Sequence, residues 1–332
     1  MGHANIAFFV PHLGCPHQCS FCNQHSISGQ ARVPAPKEVL ETCAQQAERL
    51  PRDLTEVEIA FFGGSFTAIE GDIMEGLLEA AQYCVRRYGF AGIRCSTRPD
   101  AVEHRVMDTL RRYGMTHIEL GCQSMEDEVL SLNGRGHTAQ DVREASRLVR
   151  AYGMGLGHQM MVGLYGEPAY GPMMTAGELA KLKPDTVRIY PTVVIRGTRL
   201  AELMREGLYQ PLTVDQAVVV CAELMAYFRQ HKISVIRVGL HASESLEEDY
   251  LAGAYHPAFG ELCASRLYLI KAREALLGMP PGSYNLTVHP GEISKMVGQR
   301  RGNIMALAQE GYNISVRGGS PPPGQVILTQ ST

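Results

Sequence analysis

Three segments of the chain are spelled almost alike: Arg-Arg-Tyr-Gly-Phe at 86–90, Arg-Arg-Tyr-Gly-Met at 111–115 and Arg-Ala-Tyr-Gly-Met at 150–154. Each follows an amphipathic stretch and precedes a short apolar run, so each reads as a junction from helix to strand. Gly89, Gly114 and Gly153 suit the left-handed turn that ends a helix, a backbone region glycine enters without steric cost. A recurring junction of this kind implies successive βα units and a parallel sheet covered by helices. The strands so predicted are 6–10, 57–62, 93–96, 117–121, 156–162, 186–190 and 234–238. Several are apolar on consecutive residues, the mark of strands covered on both faces. The expected fold class is α/β, a barrel or an open sheet of repeated units.

The intervening helices carry their own signals. Pro36 suits a first turn, followed by Val39, Leu40, Cys43, Ala44 and Ala47 on one face. The next helix aligns Ile73, Met74, Leu77, Leu78, Ala81, Cys84 and Val85. Asp100 is expected to cap a third, Thr138 with Asp141 to form a capping box for a fourth, and Thr213 to cap another. Beyond about residue 240 prolines, glycines and histidines interrupt the periodicity. The expected organisation is therefore a core of 1–240 and a C-terminal extension of 241–332 packed on it, with 320–324 a loose tail.

Charge and length narrow the partners. A chain of 332 residues buries a core without disulfide or metal staples. Its net charge of −3 offers no global attraction to nucleic acid or an anionic membrane. The segment 271–302, however, holds Lys271, Arg273, Lys295, Arg300 and Arg301 against Glu274 and Glu292, a local basic excess that solvated surface explains equally well. The apolar run 6–10 is too short for a signal-peptide core or a membrane span, so no membrane association is expected and the cytoplasm is the expected location. Thiols stay reduced there. Nine cysteines, an odd number, argue against a disulfide framework and leave closely spaced ones for metal.

Cys15, Cys19 and Cys22 form such a group, spaced CxxxCxxC directly after the first strand. Three thiolates on one loop suit a cuboidal iron–sulfur cluster that keeps one iron open to a small molecule, because electron-transfer clusters use four. The alternative is zinc with His12, His17 or His25 as fourth ligand. Cys43, Cys84 and Cys221 lie on apolar helix faces and read as small core residues. One βα unit later, Phe-Phe-Gly-Gly-Ser-Phe (61–66) ends the second strand, where two glycines let the backbone approach a ligand closely.

The cysteine spacing with Gly-Gly-Ser-Phe resembles the radical S-adenosylmethionine (SAM) superfamily. Ser-Thr-Arg-Pro-Asp (96–100), Glu-Leu-Gly-Cys-Gln-Ser (119–124), Gly-Arg-Gly-His-Thr (134–138) and Arg-Ile-Tyr-Pro-Thr-Val-Val-Ile-Arg-Gly-Thr (188–198) are similar to the radical SAM domain of the Elongator catalytic subunit family. So is Gly-Ala-Tyr-His-Pro-Ala-Phe-Gly-Glu-Leu (253–262). Two departures stand out. That family spaces its first two cluster cysteines more widely, and the residues after 265 are too few for its acetyltransferase domain. Acetyl transfer is therefore not expected of the chain by itself.

The resemblance implies an α/β fold built as a partial parallel (β/α)6 barrel of the TIM type, with a [4Fe–4S] cluster on Cys15, Cys19 and Cys22 whose open iron takes SAM. It assigns Gly63, Gly64 and Ser65 to the methionine amino group. Similarity to oxygen-independent coproporphyrinogen oxidases adds Gln123, Arg135 and Gln159 as SAM contacts, with Arg135 for the carboxylate and Ser96 for the ribose. Positions 63, 96, 123 and 159 all fall at or near the C-terminal ends of successive predicted strands, where parallel α/β sheets place their ligands. Tyr190, Thr192, Arg196, Thr198, His241 and His256 are expected on the substrate side. The implied chemistry is reductive cleavage of SAM to a 5′-deoxyadenosyl radical, fed by an external donor such as flavodoxin or ferredoxin. RNA and a small metabolite are the two substrate classes weighed, and a non-catalytic iron–sulfur or zinc sensor is the third reading.

Overall fold

A computed structural model of the protein describes residues 4–10, 15, 19–23, 32–50, 53–241 and 243–330. Its strands are β1 (Ala4–Val10), β2 (Val57–Gly63), β3 (Gly92–Thr97), β4 (Met115–Gln123), β5 (Gly155–Val162), β6 (Thr186–Pro191) and β7 (Val193–Ile195). They continue with β8 (Ser234–Val238), β9 (Tyr250–Gly253), β10 (Gly282–Val288), β11 (Tyr312–Gly318) and β12 (Ile327–Gln330). Seven of them pair in parallel in the order β1-β2-β3-β4-β5-β6-β8. The sheet curls into an open half-barrel with β1 and β8 as its free edges, the partial TIM-type barrel expected.

The repeated junctions behave as their glycines dictate. Gly89, Gly114 and Gly153 take φ of 79°, 78° and 73°, each ending a helix and turning the chain into β3, β4 or β5. Thr138 caps the helix Ala139–Ala151 through a box with Asp141, and Thr213 caps Val214–Gln230 with Gln216. Asp100 does not cap the third helix. Its carboxylate is gripped by Arg98 through bonds of 2.9 and 2.6 Å, and the helix His104–Arg112 starts at Glu103 without a side-chain cap.

The two faces of the sheet differ more than the apolar runs suggest. Ile6, Phe8, Ile59, Phe61, Ile93, Cys95, Ile118, Leu120, Leu156, Met160, Val187 and Ile189 face the helices and form the main core. The register places the alternate residues Glu58, Arg94, Glu119, Gln159 and Arg188 on the inner face. There they form one network. Arg94 donates to Glu58 (2.7 Å) and Glu119 (2.5 Å), and Arg188 donates to both Glu119 oxygens (2.6 and 2.9 Å). Gly157 makes room for it, since a Cβ there would lie 2.9 Å from Glu119 Cγ. The strands are covered on both faces as expected, but the inner cover includes charge, buried within the barrel because it is paired.

Beyond residue 240 regular structure continues rather than fading. The helix Phe259–Leu276 packs on Val214–Gln230, and a second small sheet, β11-β10-β12, builds its own core from Tyr284, Leu286, Val288, Ile314 and Leu307. Pro280, Pro281, Pro290 and Gly291 flank β10 instead of breaking it. Nor is 320–324 loose. The Gly324 amide donates to Tyr268 and Glu292, and Lys271 donates to its carbonyl.

Candidate functional site

The cysteine loop is pinned at Ser20. Its amide and hydroxyl donate to the carbonyl and side-chain oxygen of Asn133 (3.0 and 2.7 Å), while the Leu200 amide donates to its carbonyl (2.7 Å). The Cys22 amide donates to the Cys19 carbonyl, closing a turn that carries both thiols. Ser20 and Asn133 were not singled out from the sequence, and a serine between two cysteines gives no sign of so distant a partner.

Two arginines bracket these cysteines. Arg135 is buried, donating to Cys19 Sγ (3.3 Å) and to the Gly121 carbonyl (2.6 Å). Arg98, 4% exposed, is aimed by Asp100 and leaves one terminal nitrogen without a partner. Burial and then the neighbouring Cys19 push the Cys15 thiol up, against the pull of Arg98, Arg135 and the Ser65 amide. Arg98 belongs to the Ser-Thr-Arg-Pro-Asp segment but is not among the site residues expected from sequence.

Backbone strain marks the strand ends. Gly63 takes φ of 110°, and a Cβ there would stand 2.8 Å from the Val10 carbonyl oxygen, which also accepts from the Gly64 amide (2.7 Å). Gln123 takes φ of 63° at a register shift between β4 and β5, a conformation costing about 1–3 kcal/mol outside glycine. Its side-chain oxygen is buried without a partner. Gln159 donates to Ser96 (3.0 Å) and to Glu119 (2.9 Å), linking the rim to the charged network below.

Of the candidate cofactor residues, Cys15, Cys19, Cys22, Gly63, Gly64, Ser96, Gln123, Arg135 and Gln159 line one cavity of about 800 Å³. Every strand of the large sheet, from β1 to β8, contributes to its wall. Ser65 stands apart: it is fully buried, its hydroxyl pairs with Thr97 (2.8 Å), and only its amide faces Cys15. On the expected substrate side Tyr190 and His241 line the cavity, joined by Arg188 and Arg237, which sequence reading missed. Thr192, Arg196, Thr198 and His256 do not. Thr198 caps the helix Arg199–Arg205, Arg196 is mostly exposed beside Asp249, and His256 accepts from the Ala258 amide. Thr192 is buried with its hydroxyl unpartnered.

Among the described residues no three His, Cys, Asp or Glu side chains converge on a point that would hold a single ion. His12, His17 and His25 lie outside the described residues.

Comparison with known proteins decides the family. The model of the Radical SAM superfamily matches residues 9–170, and that of the Radical_SAM C-terminal domain matches 184–268. The chain belongs to the radical SAM superfamily. It is 28% identical over 243 residues to a tRNA uridine(34) acetyltransferase of Dehalococcoides mccartyi, covering 63% of this chain and 53% of that one. A tRNA uridine(34) acetyltransferase of Methanocaldococcus jannaschii is 29% identical over 68% of this chain and 48% of its own. Human Elongator complex protein 3 is 30% identical over 55% of this chain and 37% of its own. The chain thus spans about half the length, or less, of these curated relatives. The solved archaeal Elp3 of Methanocaldococcus infernus, lacking its N-terminus, shares the fold with a TM-score of 0.63 at 21% identity, over 83% of this chain and 64% of that one. As a radical SAM protein the chain is an enzyme, and its superfamily implies a [4Fe–4S] cluster and SAM. The residues present fit that pair: three cysteines, two bracketing guanidiniums and orphaned polar atoms on Arg98, Arg135 and Gln123. No helix among the described residues is long and apolar enough to cross a membrane.

Proposed function

We propose that Cys15, Cys19 and Cys22 hold a [4Fe–4S] cluster and that SAM lies beside it, against Gly63, Gly64, Ser96, Gln123, Arg135 and Gln159. The Ser65 amide, rather than its hydroxyl, supports the cysteine side. The observation that carries this reading is the convergence of the three cysteines with those strand-end residues on a single cavity. Cluster and SAM together supply reductive cleavage to methionine and a 5′-deoxyadenosyl radical that takes hydrogen from a substrate. Arg135 and Arg98 are placed for the anionic end of SAM, because a guanidinium pairs strongly with carboxylate. Gln123 and Gln159 offer amide groups to its nucleoside. Phe9, Phe21 and Phe62 line the same cavity and exclude water from it. A flavodoxin or ferredoxin serves as electron donor, in the reducing cytoplasm.

RNA is the substrate class we propose, on the strength of relatives whose names specify tRNA uridine 34. The basic stretch at 271–302 supports it less than its charge count suggests. Arg273 is paired with Glu310 and Lys271 is turned inward to Gly324, which leaves Lys295, Arg300 and Arg301. A small metabolite is the second reading, favoured by a cavity whose size matches ordinary small-molecule sites. The test is 5′-deoxyadenosine formation by the reconstituted protein with and without added tRNA. Stimulation by tRNA supports RNA; a rate unmoved by any RNA transfers the proposal to the metabolite.

A further inference from the structure

The inner face of the half-barrel carries more positive than negative charge. Arg94, Arg188 and Arg237 stand on it against Glu58 and Glu119. Both carboxylates are taken, by Arg94 and Arg188. Arg237 is left over. It is the register partner of Arg188 on the neighbouring strand, it lines the cavity, and it has no carboxylate partner among the described residues. Its one side-chain bond goes from Nε to the Gly239 carbonyl (3.1 Å), which aims the guanidinium and leaves its two terminal nitrogens uncommitted. His241, three residues past the end of β8, lines the same part of the cavity, as does the Tyr190 side chain from β6. Like charges on adjacent strands repel, and an uncompensated half-buried cation invites a counter-anion.

We propose that Arg237, with Arg188 behind it and His241 and Tyr190 beside it, binds an oxyanionic group of the substrate at the β8 edge of the cavity. The group is a phosphate where the substrate is a nucleotide of RNA and a carboxylate where it is a metabolite. Arg188 gives Nε and one terminal nitrogen to Glu119 and also hydrogen-bonds Tyr190, so it adds mainly positive field and holds Tyr190 beside the anion. Burial, then Arg237 and Arg188, hold the His241 imidazole below its ordinary pKa, so near neutral pH it offers a neutral donor or acceptor to the anion. This inference deepens the proposed function, resting on the same cavity.

The test is titration calorimetry of inorganic phosphate and, separately, acetate into the anaerobically reconstituted full chain at low ionic strength. Arg237→Gln is expected to weaken the tighter-bound of the two at least tenfold. Arg237→Lys should stay within a few-fold, and Arg205→Gln, an exposed helix residue outside the cavity, should change nothing. The tighter anion names the source. Affinities that are equal in the parent and Arg237→Gln for both anions overturn the inference. Iron content and 5′-deoxyadenosine formation, measured on the same samples, judge the cluster reading separately, so either claim can fail while the other stands.

Discussion

The Arg135 guanidinium donates to the Cys19 sulfur across 3.3 Å, joining two residues 116 positions apart in the chain. The bond ties the turn after the short helix Asp127–Leu132 to the loop after β1. A second nitrogen of the same group donates to Gly121 O, so Arg135 cannot swing away without giving up both contacts. Its Nε is buried without a partner. One side chain thus bridges the proposed cluster loop and the proposed SAM pocket.

Arg135→Ala should therefore weaken SAM binding by about 1.5–3 kcal/mol, the usual range for hydrogen bonds to a charged group. Equilibrium binding of SAM to the reconstituted variant measures it, with iron content retained. SAM affinity equal to that of the parent would move the carboxylate to Arg98.

Glu119 is the keystone of the buried network. Burial alone would raise its carboxyl pKa, but the charge and hydrogen bond of Arg188 and the charge of Arg94 outweigh that and hold it below its ordinary value. Glu119→Gln leaves two buried guanidiniums undercompensated and should cost about 3–5 kcal/mol. A folded-state pKa lowered from 4.5 means that the stabilisation is complete above that pH and is lost as pH falls through the lower, folded value. Chemical unfolding of parent and variant at pH 7 checks the magnitude. A midpoint shared by the two would show that the network contributes little.

Much of this architecture was legible, and the failures have physical causes. The seven sheet strands were readable because their outward faces must be apolar against helices, and the three helix ends because glycine alone turns left-handed freely. Glu58, Arg94, Glu119 and Arg188 were not, since an isolated charged residue in a sequence looks like surface until its partners on neighbouring strands are known. Gly155 and Gly157 were the available hint, glycines within a strand that make room for His117 and Glu119. Asp100 looked like a cap because Arg98, two residues away, gives no sequence sign of claiming it. The 320–324 segment looked loose because what fastens it, Tyr268, Lys271 and Glu292, lies far back in the chain.

His158 makes stability depend on pH. It is buried behind the sheet, its Nε2 paired with Ser146 Oγ at 2.9 Å, and burial followed by the charge of Arg150 lowers its pKa to about 3. The unfolded chain then takes up the proton first, so stability is full above the ordinary value of 6.5 and declines below it. Between pH 7 and pH 5 this group removes about 2 kcal/mol. Urea unfolding of the parent and His158→Gln at both pH values isolates it, the variant losing about 2 kcal/mol less than the parent. Equal losses would show that another group sets the slope.

The central claim is tested most directly by anaerobic reconstitution followed by measurement of 5′-deoxyadenosine after addition of SAM and a strong reductant. The account predicts about four irons per chain, the stoichiometry of the cluster, with 5′-deoxyadenosine and methionine formed together. Cys15→Ala, Cys19→Ala and Cys22→Ala should each abolish both iron and product. Cys43→Ala and Cys84→Ala, whose thiols lie together in the core, should retain them. Stoichiometric zinc without iron, or a full cluster that yields no 5′-deoxyadenosine, would contradict the account.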